Sequence, residues 1–167
     1  MHNRRSAIVA AALFATAVIL SSCAKKEPVR TDFALGTVCT VNLYEKGTAA
    51  AQDEIFARLR ELDAILSANR DDSNVGAINA GAGVAPVKAA PETLTVLKEA
   101  LSFAEKTEGL FDPTVGPLVT AWNIGTEDAA VPTAEEIERT RALIDWRDVA
   151  VDEAAGTAFL KRTGMKL

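Results

Sequence analysis

The chain has 167 residues, of which 49% are hydrophobic and 25% are charged, and its formal net charge is −5 at pH 7. This length and composition predict one globular domain with a hydrophobic core and argue against a chain that is disordered throughout. An acidic surface repels nucleic-acid phosphates and no Lys/Arg stripe is present, so we expect no nucleic-acid partner.

The first 22 residues have the pattern of an export signal. Two arginines give a positive start, and the apolar stretch at 7–20 is shorter than the roughly 20 residues of a membrane-spanning helix. Small residues then precede Cys23, as in the bacterial lipobox, where the cysteine receives lipid and becomes the mature N-terminus. Several acyl chains give stable anchoring. We expect 1–22 to be removed, Cys23 to be lipidated and 23–31 to form a tether. The alternative is an ordinary signal peptide with a chance cysteine.

Such an anchor predicts a location in the bacterial cell envelope, on the extracytoplasmic (periplasmic) side of a membrane. Loss of the two signal arginines from the 18 basic residues leaves 16 against 23 acidic ones, a net charge of −7. The single histidine, His2, lies in the signal, so no histidine-based triad or histidine-rich metal site is expected in the mature chain. Cys39 lies in a strand-like run, where we expect a small buried hydrophobic side chain.

In the first half of the mature chain, residues 32–44 predict a strand that Gly36 interrupts. A glycine within a strand indicates a bulge or the close approach of another molecule. Residues 49–68 predict a helix because their apolar side chains form one stripe. The Asp71–Ser73 segment can cap a short helix that extends to about Asn79.

Further elements follow from start and stop signals. In chain order they are a short strand at 84–88, a helix from Pro91 to Gly109, a short helix at 115–121, a helix from Thr133 to about Ile144 and a hairpin of 147–152 with 157–162. Proline suits the first turn of a helix and glycine its end, and Thr133 with Glu136 has capping-box spacing. We predict an α+β fold, with a mixed or antiparallel sheet and packed helices.

No single short motif identifies a site, because neither a dinucleotide fingerprint nor a phosphate loop is present. Three segments are more specific together. They are Ala34-Leu35-Gly36-Thr37; Leu62-Asp63 with Leu66-Ser67, Asn69 and Asp72-Ser73, running on to Ile78-Asn79; and Thr107 with Gly109-Leu110-Phe111-Asp112-Pro113-Thr114-Val115-Gly116-Pro117-Leu118, followed by Trp122. In this order and spacing they resemble the ApbE family of FAD:protein FMN transferases, over residues 32–167.

The resemblance implies a fold and a reaction. The fold is the ApbE-like (T-fold-like) flavin transferase fold. The enzyme breaks the pyrophosphate of FAD, transfers the FMN half to a Thr or Ser hydroxyl of an acceptor flavoprotein, and releases AMP. Magnesium assists by neutralising charge between the phosphates. FAD, the acceptor and a membrane are therefore the implied partners of this protein flavinylation reaction.

The same resemblance implies the residues that contact FAD. They are Leu35, Gly36, Thr37, Asn69, Leu110, Phe111 and Asp112. Leu35 matches an apolar residue, usually Met, that packs at the FAD site, and Asp112 offers a carboxylate to a ring or ribose group. Trp122 is either a ligand contact or a core aromatic. Many relatives have Tyr where this chain has Asn69, which cannot stack on a flat ring.

Two expectations concern activity. Loss of stacking at Asn69 favours the alternative of an FAD pyrophosphate hydrolase for flavin salvage. Residues 164–167 resemble the start of the family's central motif, so we expect the metal ligands beyond Leu167, no metal ligand within the chain, and an incomplete fragment that is inactive alone. The sequence also leaves open a non-enzymatic lipoprotein that binds flavin or another partner, and a non-folding remnant. No catalytic residue is assigned.

Overall fold

The computed structural model describes residues 29–44 and 47–167. The predicted signal, Cys23 and most of the tether lie outside the described residues. None of the helices in the described part combines the length and apolar character that a membrane span requires.

The described chain begins with an antiparallel hairpin. Strand β1 (Val29–Ala34) pairs with β2 (Thr37–Asn42), and Phe33 lies opposite Val38. Between the strands, Leu35 and Gly36 both have positive φ, 54° and 70°. The strand predicted over 32–44 with an interruption at Gly36 is therefore two antiparallel strands, and the first of them begins at Val29, within the predicted tether. Gly36 indicates an interruption of the strand, but the apolar residues on both sides of it gave no sign that the chain reverses there.

Helix α1 (Ala49–Leu66) packs against the hairpin. The Thr48 hydroxyl accepts a hydrogen bond from the Ala51 amide at 3.1 Å and begins the helix. Phe56 is fully buried, and the Arg30 guanidinium lies 4.8 Å from its ring centroid. Arg30 also pairs with Asp53 of the helix, so a cation–π contact and an ion pair hold the hairpin to α1.

The second layer combines two helices with a three-stranded antiparallel sheet. Helix α2 is Asn74–Ala80 and α3 is Pro91–Lys106. Strands β3 (Val87–Lys88), β4 (Val149–Asp152) and β5 (Thr157–Leu160) lie in the order β3-β5-β4. Their shared core comprises Ile78, Ala82, Leu94, Leu97, Val149, Ala158, Leu160 and Met165. Burial of these side chains is the main stabilising contribution.

The remaining elements connect these layers. Helix α4 is Gly116–Trp122, and α5 is Ala134–Arg141, followed by a 3₁₀ turn at Trp146–Asp148. The capping box that begins α5 has both of its reciprocal hydrogen bonds.

The α+β fold is confirmed, and most predicted elements are present with shifted ends. The strand predicted at 84–88 is only Val87–Lys88, and α5 ends at Arg141 rather than 144. Helix α3 ends at Lys106, and Gly109 follows with φ 84° and donates its amide to the Ala104 carbonyl at 2.8 Å. Cys39 is half-buried rather than buried.

Candidate functional site

The hairpin turn forms one wall of a small cavity. Leu35 is 44% exposed there, and a Cβ at Gly36 would meet no atom within 4 Å. The cavity measures about 260 Å³ and is lined by Leu35, Gly36, Asp63, Leu66, Ser67, Ala68 and Asn69. A non-glycine residue with positive φ costs roughly 1–2 kcal/mol, and such strain is concentrated at functional positions.

A larger cavity, of about 400 Å³, adjoins the small one, and Ala68 and Asn69 line both. Its other walls come from α2, the start of α4 and the end of the chain. The lining residues there are Asp71, Gly76, Asn79, Ala80, Val115, Gly116, Val119, Thr120, Lys166 and Leu167. The lining mixes apolar side chains with a few polar ones, as small-molecule sites do.

The loop between α1 and α2 places Asn69 at the shared wall. The buried Ser73 hydroxyl donates to the carbonyls of Ser67 and Arg70, at 2.6 and 2.9 Å, and accepts from the Gly76 amide at 2.9 Å. A Cβ at Gly76 would lie 2.2 Å from the Arg70 carbonyl oxygen, so only glycine permits this close approach. The loop is thereby closed onto α2.

The segment 165–167 closes the opposite wall. Lys166 forms a parallel bridge with Val115, and the Leu167 amide donates to the Asn79 side-chain oxygen at 2.8 Å. A Cβ at Gly116 would lie 2.6 Å from the Lys166 Cβ. These contacts fix the backbone that carries Lys166. Asn79 and Lys166 lie in segments that resemble the family's motifs, but the sequence did not place them in the site, because 88 positions separate Asn79 from Leu167 and no local pattern joins them.

The loop after α3 is held by the Asp112 carboxylate. One carboxylate oxygen accepts from the Thr114 amide at 2.8 Å and from its hydroxyl at 2.6 Å. The other accepts from the Trp146 amide at 3.0 Å. Thr114 is fully buried, and its hydroxyl also accepts from the Asp145 amide at 3.0 Å. In this structure the carboxylate therefore joins the loop to the 3₁₀ turn, and its predicted contact with FAD stays a prediction.

Besides the two cavities, a groove of about 460 Å³ runs along this loop, and its lining includes Leu110, Asp112 and Val115. Val115 also lines the larger cavity. Leu110 is 95% exposed and Phe111 46%. Shared lining residues thus connect the hairpin turn, Asn69 and the loop at 110–112 along one surface. Of the other predicted residues, Thr37, Phe111 and Trp122 do not line these three spaces.

The two adjoining cavities have space for an organic ligand. Their volume and mixed lining are those of a site for such a ligand. Within residues 29–44 and 47–167, no three His, Cys, Asp or Glu side chains are grouped as metal ligands.

Comparisons with known proteins agree with this picture. The model of the ApbE family matches residues 35–167. The FAD:protein FMN transferase of Treponema pallidum is 39% identical over 151 residues, which cover 85% of this chain and 42% of that protein. That of Klebsiella pneumoniae is 30% identical over 133 residues, covering 80% of this chain and 42% of its own length. The chain thus spans less than half the length of these relatives.

Solved structures show the same relation. The ApbE protein of Thermotoga maritima has a TM-score of 0.77 and 28% identity, over 84% of this chain and 46% of that one. The flavin transferase ApbE of Vibrio cholerae has a TM-score of 0.73 and 27% identity, over 84% of this chain and 47% of its own. The motifs, the fold and the family match agree, and the chain belongs to the ApbE family.

Proposed function

We propose that this chain forms an FAD-binding part of a flavin transferase that moves the FMN half of FAD to a Thr or Ser hydroxyl of an acceptor flavoprotein and releases AMP. The observation that carries the proposal is the pair of adjoining cavities between the Leu35-Gly36 turn and Lys166, joined at Asn69. The names of the Treponema pallidum and Klebsiella pneumoniae relatives support the reaction.

The residues of this chain contribute binding and orientation. The rigid loop at Asn69 and the fixed segment at 165–167 hold two walls in place before a ligand arrives. Such positioning is a large part of catalysis in phosphoryl-type transfer, where little covalent work falls to the protein. Magnesium dependence is also part of the proposal.

The first experiment tests the location of the site. Ala68 is exposed and lines both cavities, so Ala68→Trp fills their common wall. Titration calorimetry of the full chain with FAD should show binding that this variant abolishes. Ala64→Trp, an exposed position on α1 outside both cavities, is the matched control and should bind FAD normally. Normal FAD binding by Ala68→Trp would place the site elsewhere.

The second experiment tests the reaction. The full chain, FAD, magnesium and an acceptor flavoprotein are incubated, and AMP and acceptor-bound flavin are measured. AMP release in step with flavin attachment supports transfer. FAD binding without AMP release is expected both for a chain that supplies only the FAD-binding part of the enzyme and for a flavin-binding lipoprotein, so it supports binding and not transfer by this chain.

An FAD hydrolase is the second candidate function, because Asn69 lies at the wall shared by both cavities. An amide side chain there hydrogen-bonds but does not stack on a flat ring, which leaves room for water. AMP release without an acceptor supports hydrolysis, and Asn69→Tyr should then lower it. If AMP appears only with an acceptor, hydrolysis is excluded.

We also propose that the protein is held by lipid on Cys23 at the periplasmic side of a membrane. The export-signal pattern and the small residues before Cys23 support this.

A further inference from the structure

The loop between α1 and α2 carries the wall that the two cavities share. Helix α1 ends at Leu66 and α2 begins at Asn74, and Ala68 and Asn69 of the loop between them line both cavities. Both of these residues are exposed, so the position of the shared wall depends mainly on how the backbone of the loop is held.

The hydroxyl of Ser73 holds that backbone at two points. It lies 2.6 Å from the Ser67 carbonyl oxygen and 2.9 Å from that of Arg70, so the two carbonyls share its proton. The Ser73 amide also donates to the Arg70 carbonyl, at 3.2 Å. Ser67 and Arg70 stand immediately before and after Ala68 and Asn69. One side chain therefore holds the carbonyls on both sides of the two residues at the shared wall.

Ser73 acts from inside the protein. It is only 2% exposed, and it lines neither cavity. Its hydroxyl oxygen also accepts a hydrogen bond from the Gly76 amide at 2.9 Å, which ties the same group to the first turn of α2. A ligand in the cavities would therefore meet the loop that Ser73 holds and not Ser73 itself.

The other hydroxyl groups that begin helices do less. Thr48 accepts from the Ala51 amide at the start of α1, and Thr133 accepts from the Glu136 amide at the start of α5. Among the described residues, neither of these hydroxyls donates to a carbonyl of the preceding loop. A cap needs only an accepting oxygen, so the two donations of Ser73 are an addition to its role as a helix cap.

We infer that Ser73 is a positioning residue for FAD, an inference that rests on the proposed function. Its hydroxyl does not contact the ligand but sets the positions of Ala68 and Asn69. Without the hydroxyl, two carbonyls lose a buried partner and the loop relaxes away from α2. A wall that is held in place before FAD arrives loses less conformational freedom on binding.

The first measurement is titration calorimetry of the full chain with FAD. Ser73→Ala should weaken FAD binding by about tenfold, because the loop is no longer held. The matched control is Thr133→Ala, which removes the capping hydroxyl of α5. It should lower the melting temperature by a similar amount and leave FAD affinity unchanged. Ser73→Thr keeps the hydroxyl and should recover most of the affinity.

Trypsin provides a local measurement of the same loop. The bond between Arg70 and Asp71 contains the carbonyl that Ser73 holds, so its cleavage requires local opening. Without FAD, Ser73→Ala should speed cleavage of this bond by about tenfold, as followed by mass spectrometry, and Thr133→Ala should not. In the wild type, FAD should protect the bond.

The outcomes separate the two proposals. If the wild type binds FAD and Ser73→Ala binds it equally well, the role of Ser73 is overturned and the proposed function stands. Equal weakening by Ser73→Ala and Thr133→Ala also overturns it, because the loss then follows stability alone. Weak binding by Ser73→Thr with the Arg70–Asp71 bond as resistant as in the wild type overturns it too, since the loop is then in place. If the wild type does not bind FAD, both proposals fall.

Discussion

Among single residues, Leu35 has a conformation that its side chain disfavours. Its φ of 54° places a leucine in the left-handed region, next to Gly36 at 70°, on the wall of the small cavity. Asparagine adopts this region more readily than leucine. For stability alone, asparagine or glycine would be the better residue at this position. The apolar side chain of Leu35 lines the cavity instead, and we interpret it as a ligand contact.

We expect Leu35→Asn to raise stability and lower FAD affinity. Relief of the backbone strain should increase the free energy of unfolding by about 1 kcal/mol, read from denaturant titration. Loss of the apolar contact should weaken FAD several-fold in calorimetry. Val38 is also exposed on the hairpin but lies outside the cavity, so Val38→Asn should neither raise the free energy of unfolding nor weaken FAD binding. Unchanged FAD affinity in Leu35→Asn would remove Leu35 from the site.

Asp112 provides the second prediction at this scale. Asp112→Ala removes the three hydrogen bonds that join the loop to Thr114 and Trp146, and should cost about 3 kcal/mol of unfolding free energy. Thr114→Val should be destabilising in the same direction, while Asp128→Ala on an exposed loop should have little effect. A variant Asp112→Ala that unfolds like wild type but fails to bind FAD would instead make the carboxylate a ligand contact.

At the scale of elements, the sequence predicted those that have strong local end signals. Ser73, Pro91 and the Thr133–Glu136 box begin helices where expected. The N-terminal hairpin was missed because Leu-Gly is not among the dipeptides that mark a two-residue turn, such as Asn-Gly, and the strands on both sides have the same alternation. The local sequence does not favour this turn. The turn depends on the packing of the hairpin on α1, and a local sequence pattern cannot predict that packing.

The capping box gives a prediction about pH. The Thr133 backbone N–H, and next its hydroxyl, donate to the Glu136 carboxylate at 2.9 Å each and hold the pKa of that carboxyl below its ordinary value. A lowered pKa in the folded state stabilises the fold above the ordinary pKa of about 4.3, and this contribution is lost as pH falls through the lowered value.

The thermal melting temperature of Glu136→Ala should therefore lie below that of wild type at pH 7, and the difference should shrink as the pH falls below about 4. Glu135→Ala removes the same charge from the first turn without removing the box, so its difference at pH 7 should be smaller. A gap between Glu136→Ala and wild type that stays constant down to about pH 3 would show that the carboxylate does not act through its charge.

At the scale of the whole molecule, the surface that joins the three segments could be predicted only in part. Resemblance placed Leu35, Gly36 and Asn69 in one site, and the structure places all three on the small cavity. The wall that includes Lys166 depends on a contact between Asn79 and Leu167, which forms only when the core between α2 and the sheet packs. Such a long-range contact exists only in the folded chain, so the local sequence around Asn79 or Leu167 does not predict it.

The whole protein is predicted to be anchored to a membrane by lipid on Cys23. Cys23→Ser should move the protein from the membrane fraction to the soluble extracytoplasmic fraction and abolish labelling with radioactive palmitate. Each buried methylene contributes about 0.8 kcal/mol to membrane binding, so several acyl chains anchor a protein that one chain holds only weakly. Cys39→Ser is the matched control, because Cys39 lies half-buried in the hairpin and should keep both the label and the location. If Cys23→Ser stays in the membrane fraction after an alkaline wash, the anchor is not a lipid on this cysteine. The short segment between Cys23 and β1 would then no longer be a tether that holds the two cavities close to a membrane surface.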